Sequence, residues 1–405
     1  MYSLSKIGLV HKLVNKEYDI FSRIIIAFLF WLCCISVSFD YKLSNILFRR
    51  IIFLNDLKSE TRRLVWIIKR SFYIFPIESD LLFDFCNGLN KNELRTLKKK
   101  LESNFPKKDN LISELDLLKI YAYEINFVPN NNFEKNNYFL YKNFLDQYYK
   151  VKELIEKNSN NYLIEEKTNN KFFNKKFGMN TNNALKVLND LSNLFEINNI
   201  DWFAICGTFL GFVRERSFLK HDLDIDIGIM ANTVTINTLQ NILENSSCFK
   251  VSKVEFQKEF ISNSKSIVRD SFVRIVHKNG INVDLYWHYH SQGKISHGTS
   301  TLLWENTEFN LLPYEVYGIM VRGPENANLY LTETYGDWIK EKINYNFHLD
   351  MLSLKAAPNY LGLEYLLRKK ILYGQAWESE ILNLEKLLLY DNYYLKYKGD
   401  RSFLN

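Results

Sequence analysis

An α/β (α+β) architecture is the fold class this sequence predicts, and three observations carry it. Up to about residue 149, apolar residues recur at helical spacing; beyond residue 200 the apolar and polar residues mostly alternate with the period of strands. Asn279-Gly280 separates two strand-like runs, the strongest short-range signal for a hairpin. The expected organisation is a mostly helical N-terminal region over 1–155, an Asn/Lys-rich linker over 156–183, a strand-bearing domain over 184–345 and a helical C-terminal extension over 346–405.

The composition narrows the class. Of 405 residues, 47% are hydrophobic and 24% charged, which suits a chain with a buried core and excludes a disordered one. With Gly at 15 and Pro at 6, collagen-like and Pro-rich material is excluded too. Lys+Arg 52 against Asp+Glu 46 leaves +6, a mild excess that suits an acidic small molecule such as a nucleotide. It falls short of the basic footprint of a nucleic-acid binder, so no nucleic-acid partner is expected. The cysteines (Cys33, Cys34, Cys86, Cys206, Cys248) are scattered, without a Cys-x-x-Cys pair. That argues against a disulfide framework or structural zinc and for a reducing compartment.

The elements follow in order. The apolar run 24–39 is shorter than the roughly 20 residues a membrane-spanning helix needs, so it reads as a core helix, with a short membrane anchor or an interfacial helix as alternatives. The expected location is cytoplasmic, with membrane contact through 24–39; a secretory-pathway membrane anchor is the alternative. Leu94, Leu97 and Leu101 share a helical face, and Leu111 to Phe127 repeats the pattern. A helix beginning at Ala184 carries the stripe Ala184, Val187, Leu188, Leu191, Leu194 and Phe195, ending near Asn198-Asn199. Trp202 to Cys206 reads as a buried strand broken by Gly207-Thr208, and Val234 to Leu243 as a helix. Phe272–His277 and Ile281–Tyr289 form the hairpin strands, and a second hairpin is expected at Tyr317-Gly318. Gly323-Pro324-Glu325 resembles a helix start, and Gly336 its stop.

The chemistry concentrates in Gly207-Thr208-Phe-Leu-Gly211-Phe-Val-Arg214 and in Lys220-His221-Asp222-Leu-Asp224-Ile-Asp226-Ile-Gly228. Alternate strand residues share a face, so Asp222, Asp224 and Asp226 project together while Leu223, Ile225 and Ile227 enter the core. Three like charges repel, and a divalent cation relieves them; carboxylate oxygens are hard ligands suited to Mg²⁺ or Mn²⁺. Asp284 lies in a second strand-like run, where it completes the set as a metal ligand or as the base for an attacking hydroxyl. Gly207 and Thr208 offer backbone N–H groups and a hydroxyl to a phosphate, and Arg214 a fork-shaped donor. Lys220 and His221 flank the acidic row as further phosphate contacts, with an exposed loop as the ordinary alternative. His288 and His290 share a strand face, but no carboxylate or cysteine at zinc spacing completes a set; substrate contact or surface placement is expected.

The pattern Gly207-Thr208-x-Leu210-Gly211-x-x-Arg214, followed by Asp222-x-Asp224-Ile-Asp226 and by Asp284, resembles the signature of the LicD/fukutin family. Val321-Arg-Gly-Pro324, Tyr330-Leu331 and Tyr335-Gly336-Asp337-Trp338 are similar to the family's later block, and the resemblance covers roughly 180 to 345. Two departures are His221, where the family often has Trp, and Leu223, where it tends to have Asp. The resemblance implies a polymerase-β-like nucleotidyltransferase fold, hence a mixed-sheet catalytic domain over 184–345. It also implies transfer of phosphocholine or an alditol phosphate from a CDP-activated donor to a hydroxyl of a glycan or glycolipid acceptor. That role belongs to cell-surface polysaccharide or glycoconjugate biosynthesis. Asp224-x-Asp226 also matches the metal motif of nucleotide-sugar glycosyltransferases, which is the alternative enzyme, though Gly207-Thr208 upstream favours phosphotransfer; an inactive membrane-associated scaffold is the non-enzymatic alternative.

Overall fold

The computed structural model describes residues 94–95, 98–99, 111–126, 135–157, 178–262, 265–342, 345–374 and 377–389. The apolar run 24–39, most of the Leu94/Leu97/Leu101 stripe and the centre of the Asn/Lys-rich segment lie outside these. The chain divides into two compact units, 1–105 and 106–405, and every element named below belongs to the second. Among the described residues no helix is long and apolar enough to cross a membrane.

A helical layer forms from both ends of this unit. Helices α1 (Leu111–Asn126) and α2 (Lys135–Lys157) pack together, with Gln147 Nε2 donating to the Glu114 carbonyl and carboxylate at 2.9 and 2.6 Å. Late in the chain come α8 (Tyr360–Tyr373) and α9 (Glu378–Leu389). Arg368 on α8 reaches Asp116 on α1 at 3.2 Å, and Tyr148 on α2 donates to Glu385 on α9 at 2.6 Å. Buried charges of this kind persist only when paired, so these contacts fix which helices are neighbours. The C-terminal part is not wholly helical: the short α7 (Phe347–Asp350) is followed by strand β10 (Leu354–Ala356).

Between these lies the sheet domain. Helix α3 (Thr181–Ile197) starts three residues before Ala184, because Asn180 caps it by accepting the Asn183 N–H at 3.1 Å. Its stripe Ala184, Val187, Leu188, Leu191 and Phe195 is buried as the periodicity predicts. Strand β1 (Trp202–Ala204) runs into α4 (Cys206–Arg214), so Gly207-Thr208 is the first helical turn rather than a break. Strand β2 (Asp224–Met230) begins only at Asp224. Asp222 N–H bonds the Leu219 carbonyl and Leu223 N–H the Asp222 carboxylate, so a turn occupies the positions before it. Leu223 is accordingly 40% exposed, not core, whereas Ile225, Ile227 and Ile229 are fully buried. Each such isoleucine contributes about 1.5–3 kcal/mol of apolar burial, which fixes the face on which the intervening aspartates stand.

Helix α5 (Ile236–Glu244) starts after the cap Thr235. Then come β3 (Phe249–Ser262), β4 (Lys265–His277), β5 (Asn282–Ser291), β6 (Lys294–Gly298) and β7 (Leu302–Thr307). The sheet runs β1-β2-β5-β6-β7-β10, with β4 also on β5 and β3 on β4. β5 is parallel to β2 and antiparallel to β4 and β6, which makes this the mixed sheet expected. Strands β8 (Leu311–Val316) and β9 (Ile319–Pro324) form the second expected hairpin, with Tyr317 and Gly318 at positive φ. Pro324 closes β9 instead of opening a helix; α6 (Ala327–Tyr335) starts after Asn326, whose side chain accepts the Leu329 N–H, and ends at Gly336 (φ 70°).

Candidate active site

The two central strands bring the acidic residues together. β2 and β5 run parallel with Asp226 opposite Asp284 and Asp224 opposite Asn282. The N-terminal turn of α4 closes over them: a Cβ on Gly207 would stand 3.0 Å from Asp222 Oδ2 and 3.6 Å from Asp226 Oδ2. Two carboxylates thus converge on the space that a glycine leaves open beside a helix N-terminus, where negative charge is favoured.

The electrostatics of the set are those of an under-neutralised cluster. Burial first, and then Asp284 and Asp222, push the Asp224 carboxyl up to about 7. Asp226 is driven well above the usual carboxylate range by burial and by Asp224, Asp222 and Asp284. Asp222 and Asp224 also hydrogen-bond each other through their side chains, an arrangement that needs a shared proton or a cation. Asp284 is 3% exposed, so it is no solvent-facing strand aspartate.

One residue unmarked by the sequence controls Asp284. Arg274 on β4 lies opposite it, and its Nε and Nη2 donate to Asp284 Oδ1 and Oδ2 at 2.6 and 2.5 Å. Nη2 also approaches Asp224 Oδ2 at 3.5 Å. Burial works against the guanidinium charge, but Asp284 and then Asp224 more than restore it. Arg274 thus answers Asp284 and Asp224 together, and the hard oxygen donors of the acidic row fit Mg²⁺ or Mn²⁺. A metal held by Asp222, Asp224 and Asp226 would lower the repulsion that now raises the proton affinity of Asp224 and Asp226.

The remaining motif residues have defined tasks, not all of them those expected. Thr208 is fully buried, and its Oγ1 accepts the Asp226 N–H at 2.8 Å. Its hydroxyl therefore holds the acidic strand in place and does not stand open to a phosphate. Gly211 lets the following loop close, since a Cβ there would be 2.6 Å from the Ser217 carbonyl. Arg214 donates to the Trp338 carbonyl at 3.1 Å and pairs with Glu215 at 3.0 Å, so its fork anchors the segment after α6. Tyr330 accepts the Cys206 N–H at 3.2 Å. These two bonds tie the later Tyr-Leu and Tyr-Gly-Asp-Trp block to α4. Lys220 and His221 sit in the exposed turn immediately before Asp222.

The histidines separate. His290 is at the surface beside Glu308 (2.8 Å), but His288 is 2% exposed and stacks on His297 with ring centroids 4.2 Å apart. A surface position does not describe His288. Asp190, Cys248 and His277 offer ligand atoms within 4.8 Å of one another. There His277 Nδ1 accepts the Asn279 N–H at 3.2 Å while Nε2 faces Asp190 at 3.0 Å. That assigns the ring proton to Nε2, the tautomer a metal ligand at that nitrogen cannot use.

A helix N-terminus thus packs on parallel strands that carry clustered aspartates. Residues 199–326 match the family model described as LicD/FKTN/FKRP, nucleotidyltransferase domain, which supports a LicD/fukutin-family assignment for this stretch. The chain is also 29% identical over 185 residues to a Rickettsia prowazekii (strain Madrid E) protein described as uncharacterized; the match takes in 44% of this chain and 66% of that protein's length.

Proposed function

We propose that this protein is a metal-dependent phosphotransferase of glycoconjugate biosynthesis. It moves a phosphorylated small molecule, phosphocholine or an alditol phosphate, from a CDP-activated donor to a glycan or glycolipid hydroxyl. The observation that carries this reading is the convergence of Asp222, Asp224, Asp226 and Asp284 beside the first turn of α4, within the stretch that matches the family.

Asp222, Asp224 and Asp226 are the residues to hold Mg²⁺ or Mn²⁺, which supplies charge neutralisation at the donor's pyrophosphate. The first-turn amides of Gly207 and Thr208 have no intrahelical partners by helix geometry, and they favour phosphate oxygens. Lys220 and His221 add donors from the adjoining turn. Asp284 accepts the proton of the attacking hydroxyl when one of its oxygens is released by Arg274. Apolar run 24–39 would bring the enzyme to a lipid-linked acceptor at the cytoplasmic membrane face.

The test is incubation with a panel of CDP- and UDP-activated donors plus Mg²⁺, with the released nucleotide identified by mass spectrometry. CMP is the expected product. Release of UDP or another nucleoside diphosphate would transfer the site to nucleotide-sugar glycosyltransfer.

A further inference from the structure

Arg274 occupies a position that the phosphotransferase reading leaves without a task of its own. It sits on β4, cross-strand from Asp284, and a long, planar guanidinium is there in place of a cross-strand apolar pair. Its fork takes both Asp284 oxygens (2.6 and 2.5 Å) and extends to Asp224 Oδ2 at 3.5 Å. A bidentate guanidinium–carboxylate pair uses the same lone pairs that a divalent cation or a transferred proton would need. Arg274 is thus the rival of a metal for Asp224 and of a transferred proton for Asp284, and it cannot keep these oxygens while they serve either.

The surroundings let the arginine leave. Its side chain keeps 28% exposure while Asp284 keeps 4%, so the cation lies on the open side of the pair and the carboxylate on the closed side. Its guanidinium lies 5.9 Å from the Phe272 ring centroid, a face that accepts a cation in more than one rotation. An incoming pyrophosphate brings oxygens with the spacing that the fork recognises.

We propose that Arg274 is an exchangeable counter-ion: it neutralises Asp284 and Asp224 in the free protein and passes its fork to the donor's phosphate when a divalent cation takes Asp224. The proposal rests on the nucleotide-donor reading above and adds a positioning residue to it. Metal and donor then bind cooperatively, because each removes the obstacle to the other. Asp284 is also freed for the hydroxyl proton only once the donor is in place, which discourages wasteful hydrolysis before loading.

Direct binding tests this without turnover. Mn²⁺ affinity is measured by electron paramagnetic resonance for the wild-type chain and Arg274→Met, with and without CDP, and folding is checked by circular dichroism. Arg274→Met should bind Mn²⁺ at least about fivefold more tightly and lose at least about tenfold in CDP affinity, with the cooperativity between the two abolished. A substitution that only loosened the structure would weaken both. Arg274→Lys keeps the charge but not the fork; it should hold Mn²⁺ affinity within about twofold and still weaken CDP, so it carries the test if Arg274→Met does not fold. Unchanged or weaker Mn²⁺ binding in folded Arg274→Met, or unchanged CDP binding in both variants, overturns the exchange. Failure of every CDP donor to turn over, with the Mn²⁺ and CDP responses intact, would overturn the transfer reaction and leave the exchange standing.

Discussion

Two neighbourhoods on the same face of β5 treat charge in opposite ways. At Asp284, four acidic side chains are gathered near one arginine, and burial raises the proton affinity of Asp224 and Asp226. Four residues on, His288 is buried against His297, Phe203 and, through His297, Trp304. Burial lowers the His288 pKa to about 3 and that of His297 well below its ordinary value. The first neighbourhood concentrates carboxylates beside Arg274; the second expels charge. A strand face becomes a site where hard oxygen donors converge beside a helix N-terminus, and becomes core where imidazoles stack within aromatic rings.

Removing the charge from the first neighbourhood should have the largest effect. Asp224→Asn with Asp226→Asn is expected to reduce transfer at least about 10³-fold, since the metal-held transition-state charge is lost. The same pair of substitutions should leave the thermal midpoint at pH 8 unchanged or higher, because the replaced carboxylates repel one another. A collapse of the midpoint together with activity would assign the aspartates to folding instead.

The second neighbourhood contributes to the acid limit, alongside the buried His348, whose pKa is also lowered to about 3. Each imidazole takes up a proton on unfolding near its ordinary value of about 6.5 but resists it in the folded state. Stability is therefore full above about pH 6.5 and lost as pH falls toward 3, with a slope of up to about 1.4 kcal/mol per pH unit for each histidine. Denaturant titrations across this range should show the slope, and His288→Phe should flatten it. A pH-independent midpoint between 6.5 and 4 would show that the pair is not an acid-sensitive element.

The smallest expected effect sharpens the contrast from the other side. With a folded-state pKa near 7 and an ordinary value of 3.8, Asp224 favours the folded state when protonated. That contribution is lost as pH rises from about 4 through 7. Mg²⁺ should offset the loss, raising the thermal midpoint by a few degrees at pH 8 and by less at pH 5. Equal shifts at the two pH values would place the ion somewhere other than the raised carboxylates.

Much of the site was legible because its motif residues are neighbours in sequence and each has a local task. Gly207 leaves room for the Asp222 and Asp226 oxygens, Thr208 bonds the Asp226 amide, and Gly211 admits the loop. Arg274 was not legible, and the reason is register. Asn279-Gly280 announces a hairpin, but the loop spans residues 278–280, with His277 N–H bonded to the Ile281 carbonyl. A two-residue turn would place Leu285 opposite Arg274; the three-residue loop places Asp284 there. One residue of slip moves every side chain to the other face. His288 was placed correctly on the face of His290, yet its burial depended on His297, which β6 delivers from across the sheet.

Sequence by itself determined the alternation of isoleucine and aspartate along β2, the buried stripe of α3, and the residue types able to hold a divalent ion. Those follow from periodicity and from the chemistry of oxygen donors, which are local properties. The tertiary structure alone decided which strand stands beside β2, which cation answers Asp284 and which imidazole loses its access to water. Each of these depends on pairing between segments whose mutual register is set by loop length and by core packing, and no local pattern contains that information.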